Sequence, residues 1–194
     1  MTVLAIHKWK DNAELIADCA KLGYLEGKVL DPTWGEGNFW TRYRPKILIG
    51  TDAVTPKSPI GYSVDFRHQP WADQEFDSVV FDPPYKLNGT PDPEWDEKYG
   101  VHIPTRWQDR MALIRDGAVE CARIAKTYLL VKVQDQVSSG KIRWQTDEVT
   151  NAVLPLGFEK HDRFDFLSYR AQPEGRSQKH AHRCSSQLLV FKRI

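Results

Sequence analysis

Four consecutive residues, Asp82-Pro83-Pro84-Tyr85, close the apolar run at 77–81, and their order specifies a chemistry. Two prolines remove two amide donors, so a strand that ends in them cannot extend its ladder. What remains is a rigid pair of carbonyls beside a carboxylate and an aromatic ring. An exocyclic amine on a flat heterocycle carries two N–H donors. Asp82 and the Pro83 carbonyl can accept both, turning the nitrogen lone pair toward an electrophile and stabilising the positive charge that develops there. Tyr85 can stack on the ring. Asp82, Pro83, Pro84 and Tyr85 are therefore the candidate catalytic residues. A proline-rich turn after a buried strand is the plainer account of the same tetrapeptide.

A second group lies upstream. Asp31-Pro32-Thr33-Trp34-Gly35-Glu36-Gly37-Asn38-Phe39 follows an apolar stretch at 28–30. Gly35 and Gly37 permit a tight strand-to-helix turn and close approach of the backbone to a ligand. Asp31 can meet a cationic or hydroxyl-bearing group. Trp40 stands where a dinucleotide fingerprint would have its third glycine, which disfavours a pyrophosphate-bearing cofactor. Taken alone, the pattern also suits an ordinary turn. Asp52 follows the next apolar strand, 46–50, where an acid can hydrogen-bond the two hydroxyls of a ribose or simply cap a turn. Asp65-Phe66 ends a third strand candidate, 63–66, and offers a carboxylate and a ring that can bind and cover an adenine, or simply a solvated aspartate beside a core phenylalanine.

These residues need a frame. Strands alternate with helices along the chain, which implies a largely parallel sheet. Residues 11–23 read as an amphipathic helix capped by Asp11 or Asn12 and stopped by Gly23. Further helices are expected over 107–125 and 146–154, and a strand over 128–133. Two closing strands, 158–169 and 186–192, have no helix between them and predict an antiparallel hairpin. Two loops face substrate in this reading: 86–107, long for a compact domain, and the basic connection 170–185. With no internal repeat or linker, residues 1–194 are expected to form a single domain.

The pairing of DPTWGEG with DPPY resembles the amino-methyltransferase group of Rossmann-like methyltransferases, which modify adenine N6 or cytosine N4 in nucleic acid. The resemblance implies an α/β class I methyltransferase fold: a seven-stranded, mostly parallel sheet with a C-terminal antiparallel hairpin and helices on both faces. It implies S-adenosylmethionine as cofactor. Asp31, Pro32, Thr33, Gly35 and Gly37 would serve its methionyl part, Asp52 its ribose, and Asp65 with Phe66 its adenine. Residues 7–12 correspond weakly to the family's upstream cofactor segment. Thr33 departs from the family's usual Asp-Pro-Phe, leaving Trp34 or Phe39 to supply the aromatic contact. Aspartate at the head of DPPY leans toward adenine. The reaction needs neither a metal nor a covalent intermediate and rests on positioning and electrostatics. The family's large target-recognition insertion is missing here. Recognition then falls to the two loops, to a partner subunit or homodimer, to a short target, or to an RNA substrate.

Bulk properties narrow the choice of partner. The net charge is +1, too close to neutral for a protein that grips DNA mainly through phosphates. Its distribution is uneven: Lys160, Arg163, Arg170, Arg176, Lys179, Arg183, Lys192 and Arg193 face only Asp162, Asp165 and Glu174 over 160–194. Arg170, Arg176, Lys179, His180 and Arg183 are the candidate phosphate contacts. His180, His182 and Cys184 lack a fourth ligand at suitable spacing, so no metal site is expected. Three dispersed cysteines suggest reduced thiols. No apolar run approaches the roughly 20 residues that span a bilayer, and residues 1–10 lack a signal-peptide core, so a cytoplasmic location is expected. DNA is favoured over RNA as the nucleic acid. An RNA or free-nucleobase methyltransferase and a catalytically inactive binding subunit stay open as alternatives.

Overall fold

Side chains along the central strands alternate between two apolar layers, as the period of two requires when both faces of a sheet are covered. Val29, Val80, Leu130, Leu188 and Val190 point into one layer. Leu30, Val79, Phe81, Leu129, Val131, Leu189 and Phe191 point into the other. The structure, a computed structural model, describes residues 9–87, 106–168, 179–181 and 183–194. Among them the order is α1 (Asn12–Lys21), β1 (Lys28–Asp31), β2 (Ile47–Gly50), β3 (Phe76–Phe81), α2 (Trp107–Ile124), β4 (Ala125–Val133), β5 (Gln136–Ser138), β6 (Lys141–Arg143), α3 (Gln145–Val153), β7 (Phe158–Leu167) and β8 (Ser185–Arg193).

The main sheet has the order β2-β1-β3-β4-β8-β7. The first four strands are parallel, and β8 runs antiparallel to both β4 and β7. This is the expected architecture. Leu15, Ile16 and Cys19 of α1 join the first apolar layer. Leu113, Ile114, Ala118, Cys121 and Ala122 of α2, with Val149 and Val153 of α3, join the second. Helices therefore cover both faces. Asp11 caps α1 by accepting the Glu14 N–H at 2.9 Å, and Glu14 reaches back to the Lys10 N–H at 2.7 Å, which satisfies otherwise orphaned donors at the helix start.

Three local differences from expectation bear on the site. Residues 63–66 form no strand: 63–65 are irregular and Phe66 opens a turn, so six strands make up the main sheet among the described residues and β2 is an edge. The cause is turn chemistry at Asp65, whose side chain accepts the Arg67 N–H at 2.9 Å and whose carbonyl accepts that of His68 at 2.9 Å; an aspartate that captures the amide two residues on bends the chain out of extension. The connections after β1 and β2 contain single 3-10 turns, Asn38–Trp40 and Thr55–Lys57, in place of long helices. A two-stranded ribbon, β5 with β6, was not anticipated. Its turn carries positive φ at Ser139 and Gly140, 51° and 71°, the backbone that matches hairpin twist.

Candidate active site at the carboxyl ends of the parallel strands

The registers of β1, β3 and β4 bring three ionisable side chains to one end of the sheet on the α1 face. Phe81 pairs with Val131, which sets Asp82 beside Lys132 at the next step. Lys132 Nζ lies 3.9 Å from Asp82 Oδ1. Lys132 is only 3% exposed, and its ammonium is surrounded by the rings of Phe39, Tyr85 and Phe166, with centroids at 5.8, 5.3 and 5.7 Å. Burial works against the Lys132 charge, yet Asp82 and Tyr85 outweigh it and hold the amine above the ordinary lysine value. Burial pushes the Asp82 carboxyl above the usual carboxylate range, with Lys132 pulling it back. Asp82 Oδ1 has no hydrogen-bond partner among the described residues.

Asp82 is tied to the glycine turn through its backbone. Its N–H donates to Thr33 Oγ1 at 2.9 Å. Asp31, 3% exposed, orders the same turn from below: Oδ1 accepts the Thr33 amide at 2.9 Å and hydroxyl at 3.3 Å, and Oδ2 accepts Trp40 Nε1 at 2.7 Å. Burial pushes the Asp31 carboxyl up to about 7, a rise that these hydrogen bonds oppose and the nearby Asp82 charge assists. Gly35 and Gly37 both adopt left-handed backbone, φ 55° and 68°. At Gly37 a Cβ would also meet Trp34 Cζ2 at 2.9 Å, so a side chain there is excluded twice over.

Asp52 closes the turn from β2. Its Oδ2 accepts the Gly35 N–H and its Oδ1 the Val54 N–H, each at 2.8 Å. Pro32 is buried within the turn. Asp65 and Phe66 part company. The Asp65 carboxylate pairs with Arg67 at 2.6 Å and is held below the ordinary value by that guanidinium. Phe66 is 4% exposed and packs edge-on to Phe81, centroids 5.1 Å apart, beneath α2. Its ring therefore belongs to the core and not to a pocket wall.

Two glutamines hold the far end of the proline corner. The Tyr85 carbonyl accepts Gln136 Nε2 at 2.9 Å and Gln145 Nε2 at 2.7 Å, and Gln136 Oε1 accepts the Leu87 N–H at 3.0 Å. Arg110 Nη1 donates to the Lys86 carbonyl at 2.8 Å. A segment with no ladder of its own is thus fixed by side-chain donors from β5, α3 and α2. Lys132, Gln136 and Gln145 were missed in the sequence. The charge inside the apolar run of β4 was the available signal for Lys132, since an unpaired lysine is almost never fully buried.

Of the candidate phosphate contacts, Arg170 and Arg176 lie outside the described residues, as does most of the loop 86–107. Lys179 is exposed. His180 Nε2 lies 3.1 Å from the Gly140 carbonyl at the tip of the β5–β6 ribbon. The Arg183 guanidinium stands 5.2 Å from the ring centroid of Trp144, itself 45% exposed. Both line a cavity of about 290 Å3 with Thr146, Arg163, Asp165 and Gln187. Among the described residues no three His, Cys, Asp or Glu side chains are grouped to hold a metal, and no helix is long and apolar enough to cross a membrane.

No protein-family model matches the chain, and no curated protein matches it in sequence. Solved structures do match in shape. Magnesium protoporphyrin IX methyltransferase from Synechocystis PCC 6803, solved with bound S-adenosylmethionine, is 14% identical with a TM-score of 0.56, covering 94% of this chain and 78% of its own. The [4+2]-cyclase SpnF is 16% identical with a TM-score of 0.58, over 98% and 88%. A Haloferax volcanii protein solved in complex with the Trm112 methyltransferase activator is 14% identical with a TM-score of 0.52, over 93% of each chain. The chain has the Rossmann-like class I methyltransferase fold. A cyclase shares that fold, so the activity has to be argued from the site.

Proposed function

We propose that the protein is an S-adenosylmethionine-dependent N-methyltransferase that acts on the exocyclic amino group of a base in nucleic acid, with adenine N6 in DNA as the leading substrate. One observation carries the reading. The proline corner after β3 and the glycine turn after β1 are joined by the Asp82–Thr33 hydrogen bond, and the buried Asp82 Oδ1 lies beside them without a hydrogen-bond partner among the described residues. A base amine and a cofactor would thus meet at a common seam.

The residues around the turn suit such a cofactor. S-Adenosylmethionine supplies a methyl group on a cationic sulfonium, together with an amine and two ribose hydroxyls that seek acceptors. The open backbone of Gly35, where a Cβ would find only the Thr33 carbonyl at 4.0 Å, suits close approach of the methionyl part, with Pro32, Thr33 and Gly37 shaping the turn. Each Asp52 oxygen accepts one amide hydrogen bond and has lone-pair capacity left for a ribose hydroxyl. Thr51 Oγ1, next to it, is buried without a partner among the described residues. Asp31 supports the turn from within, and Asp65 remains the acid for the adenine amine, with the aromatic cover passing from Phe66 to another ring.

At the corner, Asp82 accepts one N–H of the target amine and the Pro83 carbonyl the other. Pro84 keeps that carbonyl rigid, and Tyr85 stacks on the base. Negative charge at Asp82 stabilises the nitrogen as it becomes cationic. In a duplex the base must first leave the stack. Trp144 and Arg183, with Lys179 and His180, form the described part of the surface that would carry the strand. Arg170 and Arg176 extend it in sequence. A partner subunit, of the kind bound by the Haloferax relative, or a second copy of this chain, would supply the recognition that a large insertion supplies elsewhere.

Nucleoside mass spectrometry decides the substrate. The purified protein with deuterated S-adenosylmethionine is expected to place label in N6-methyladenine of DNA. Label confined to RNA would transfer the reading to that polymer, whereas S-adenosylmethionine binding with no transfer to any base would favour a binding subunit.

A further inference from the structure

Lys132 interrupts a strand in which Leu129, Leu130, Val131 and Val133 are all fully buried. Taking an ammonium out of water costs several kcal/mol unless an opposite charge answers it. Among the described residues, the charged group within ion-pair distance is Asp82. Their separation is the informative quantity. At 3.9 Å the ammonium lies beyond hydrogen-bond range, so it acts on the carboxylate by charge while leaving the Oδ1 lone pairs unused. The rings of Phe39, Tyr85 and Phe166 surround the ammonium at that position. Three aromatic faces around one cation attract it through their quadrupoles and hold it in place.

We infer that Lys132 is a positioning residue for methyl transfer, held in its aromatic enclosure so that its charge keeps Asp82 an ionised, hydrogen-bond-accepting carboxylate whose buried Oδ1 has no hydrogen-bond partner among the described residues. The inference rests on the reading of Asp82 as the amine's acceptor. A protonated Asp82 would replace one acceptor with a donor and lose the negative charge that stabilises the nitrogen as it becomes cationic. Burial drives the carboxyl in that direction, and Lys132 opposes it. The other titratable groups acting on the pair are Asp31 from β1, whose negative charge faces Asp82, and Tyr85 from the segment after β3. From the turn 38–40 and from β7 the groups facing the ammonium are the Phe39 and Phe166 rings.

The first arm of the test needs no substrate. Protein labelled with 13C at aspartate carboxyls is titrated by NMR, the Asp82 signal being assigned by its absence in D82N. K132M keeps an unbranched side chain in the enclosure and removes the charge; K132R keeps the charge. The Asp82 midpoint is expected to rise by about one pH unit or more in K132M, the scale of a removed opposite charge at this distance, and to stay near wild type in K132R. The acidic limb of the methylation rate should move to higher pH by the same amount in K132M. An unmoved Asp82 midpoint in K132M overturns the inference, and K132Q against K132R gives the same comparison if K132M does not fold. A shifted midpoint with full base methylation by D82A, which has no side-chain acceptor, separates the two claims: Lys132 then sets the Asp82 charge, and the reading of Asp82 as the amine's acceptor fails.

Discussion

Thr33 and Asp82 share a hydrogen bond across two strands: the Thr33 hydroxyl accepts the Asp82 N–H at 2.9 Å and lies 3.3 Å from Asp31 Oδ1, to which it donates. The turn after β1 and the corner after β3 are set against each other by this single oxygen. The phenylalanine usual at this position in the family that the sequence resembles could not make the bond. Where the sequence suggested a lost aromatic contact, the structure has a polar tie.

Thr33→Val tests that tie. Valine keeps the shape and removes the hydroxyl, leaving the Asp82 amide without its partner at a cost of about 1–3 kcal/mol. For a chain of this length each kcal/mol lowers Tm by roughly 2–4 °C. Scanning calorimetry reads the shift, and an unchanged Tm would mean that water replaces the hydroxyl without loss.

Asp82→Ala should abolish methyl transfer while leaving S-adenosylmethionine affinity within a few-fold of wild type, because the lost contacts are to the amine. Titration calorimetry and a radiolabel assay on the same preparation measure both. Parallel loss of both would move Asp82 into the cofactor site.

Asp31 gives the fold a pH dependence of definite sign. Its carboxyl titrates near 7 when folded and in the ordinary acidic range when unfolded. The folded state therefore binds the extra proton between those values, and stability falls as pH rises from about 4 toward 7. Urea denaturation at pH 5 and pH 8 should show wild type losing stability across the interval more steeply than Asp31→Asn. Equal slopes would contradict the assignment.

Trp144→Ala and Arg183→Ala should weaken nucleic-acid binding by different routes. Loss of the ring removes a stacking surface, about 1–3 kcal/mol per base, with little change in salt dependence. Loss of the guanidinium should lower the slope of log affinity against log salt by roughly one. A slope indifferent to Arg183 would remove it from the interface.

Gly117→Ala probes how α2 supports the corner. A Cβ there would stand 2.5 Å from Phe81 Cζ and 2.7 Å from Phe66 Cδ2, and Phe81 immediately precedes Asp82. Overpacking of this kind costs about 1–3 kcal/mol. Denaturant midpoints should fall accordingly, with methyl transfer reduced through displacement of β3.

The fold was legible where local pattern and tertiary role agree. DSVVF reads as a buried parallel strand because both its faces are covered, and of the two cap candidates, Asp11 and Asn12, Asp11 makes the cap bond. Residues 63–66 misled because Val64 and Phe66 are both buried in the alternation of a strand, while Asp65 bends the backbone between them. The β5–β6 ribbon was announced only by Ser139-Gly140, too short a cue against the basic surroundings. At the site, glycines and prolines declare themselves because their backbone roles are local. Lys132, Gln136 and Gln145 do not, since each acquires its meaning from a partner about 50 residues away in sequence or more.

The place of β8 has a consequence for how the chain acquires its shape. β8, synthesised after β7, lies inside the sheet, between β4 and β7, and supplies the only strand neighbour of β7 among the described residues. β7 cannot find its ladder, and β4 keeps an unpaired side, until residues 185–193 are available. Folding in order of synthesis is thus closed to this half of the molecule. An antiparallel insertion completes it, which makes the nascent protein's open β4 edge a natural client for a chaperone.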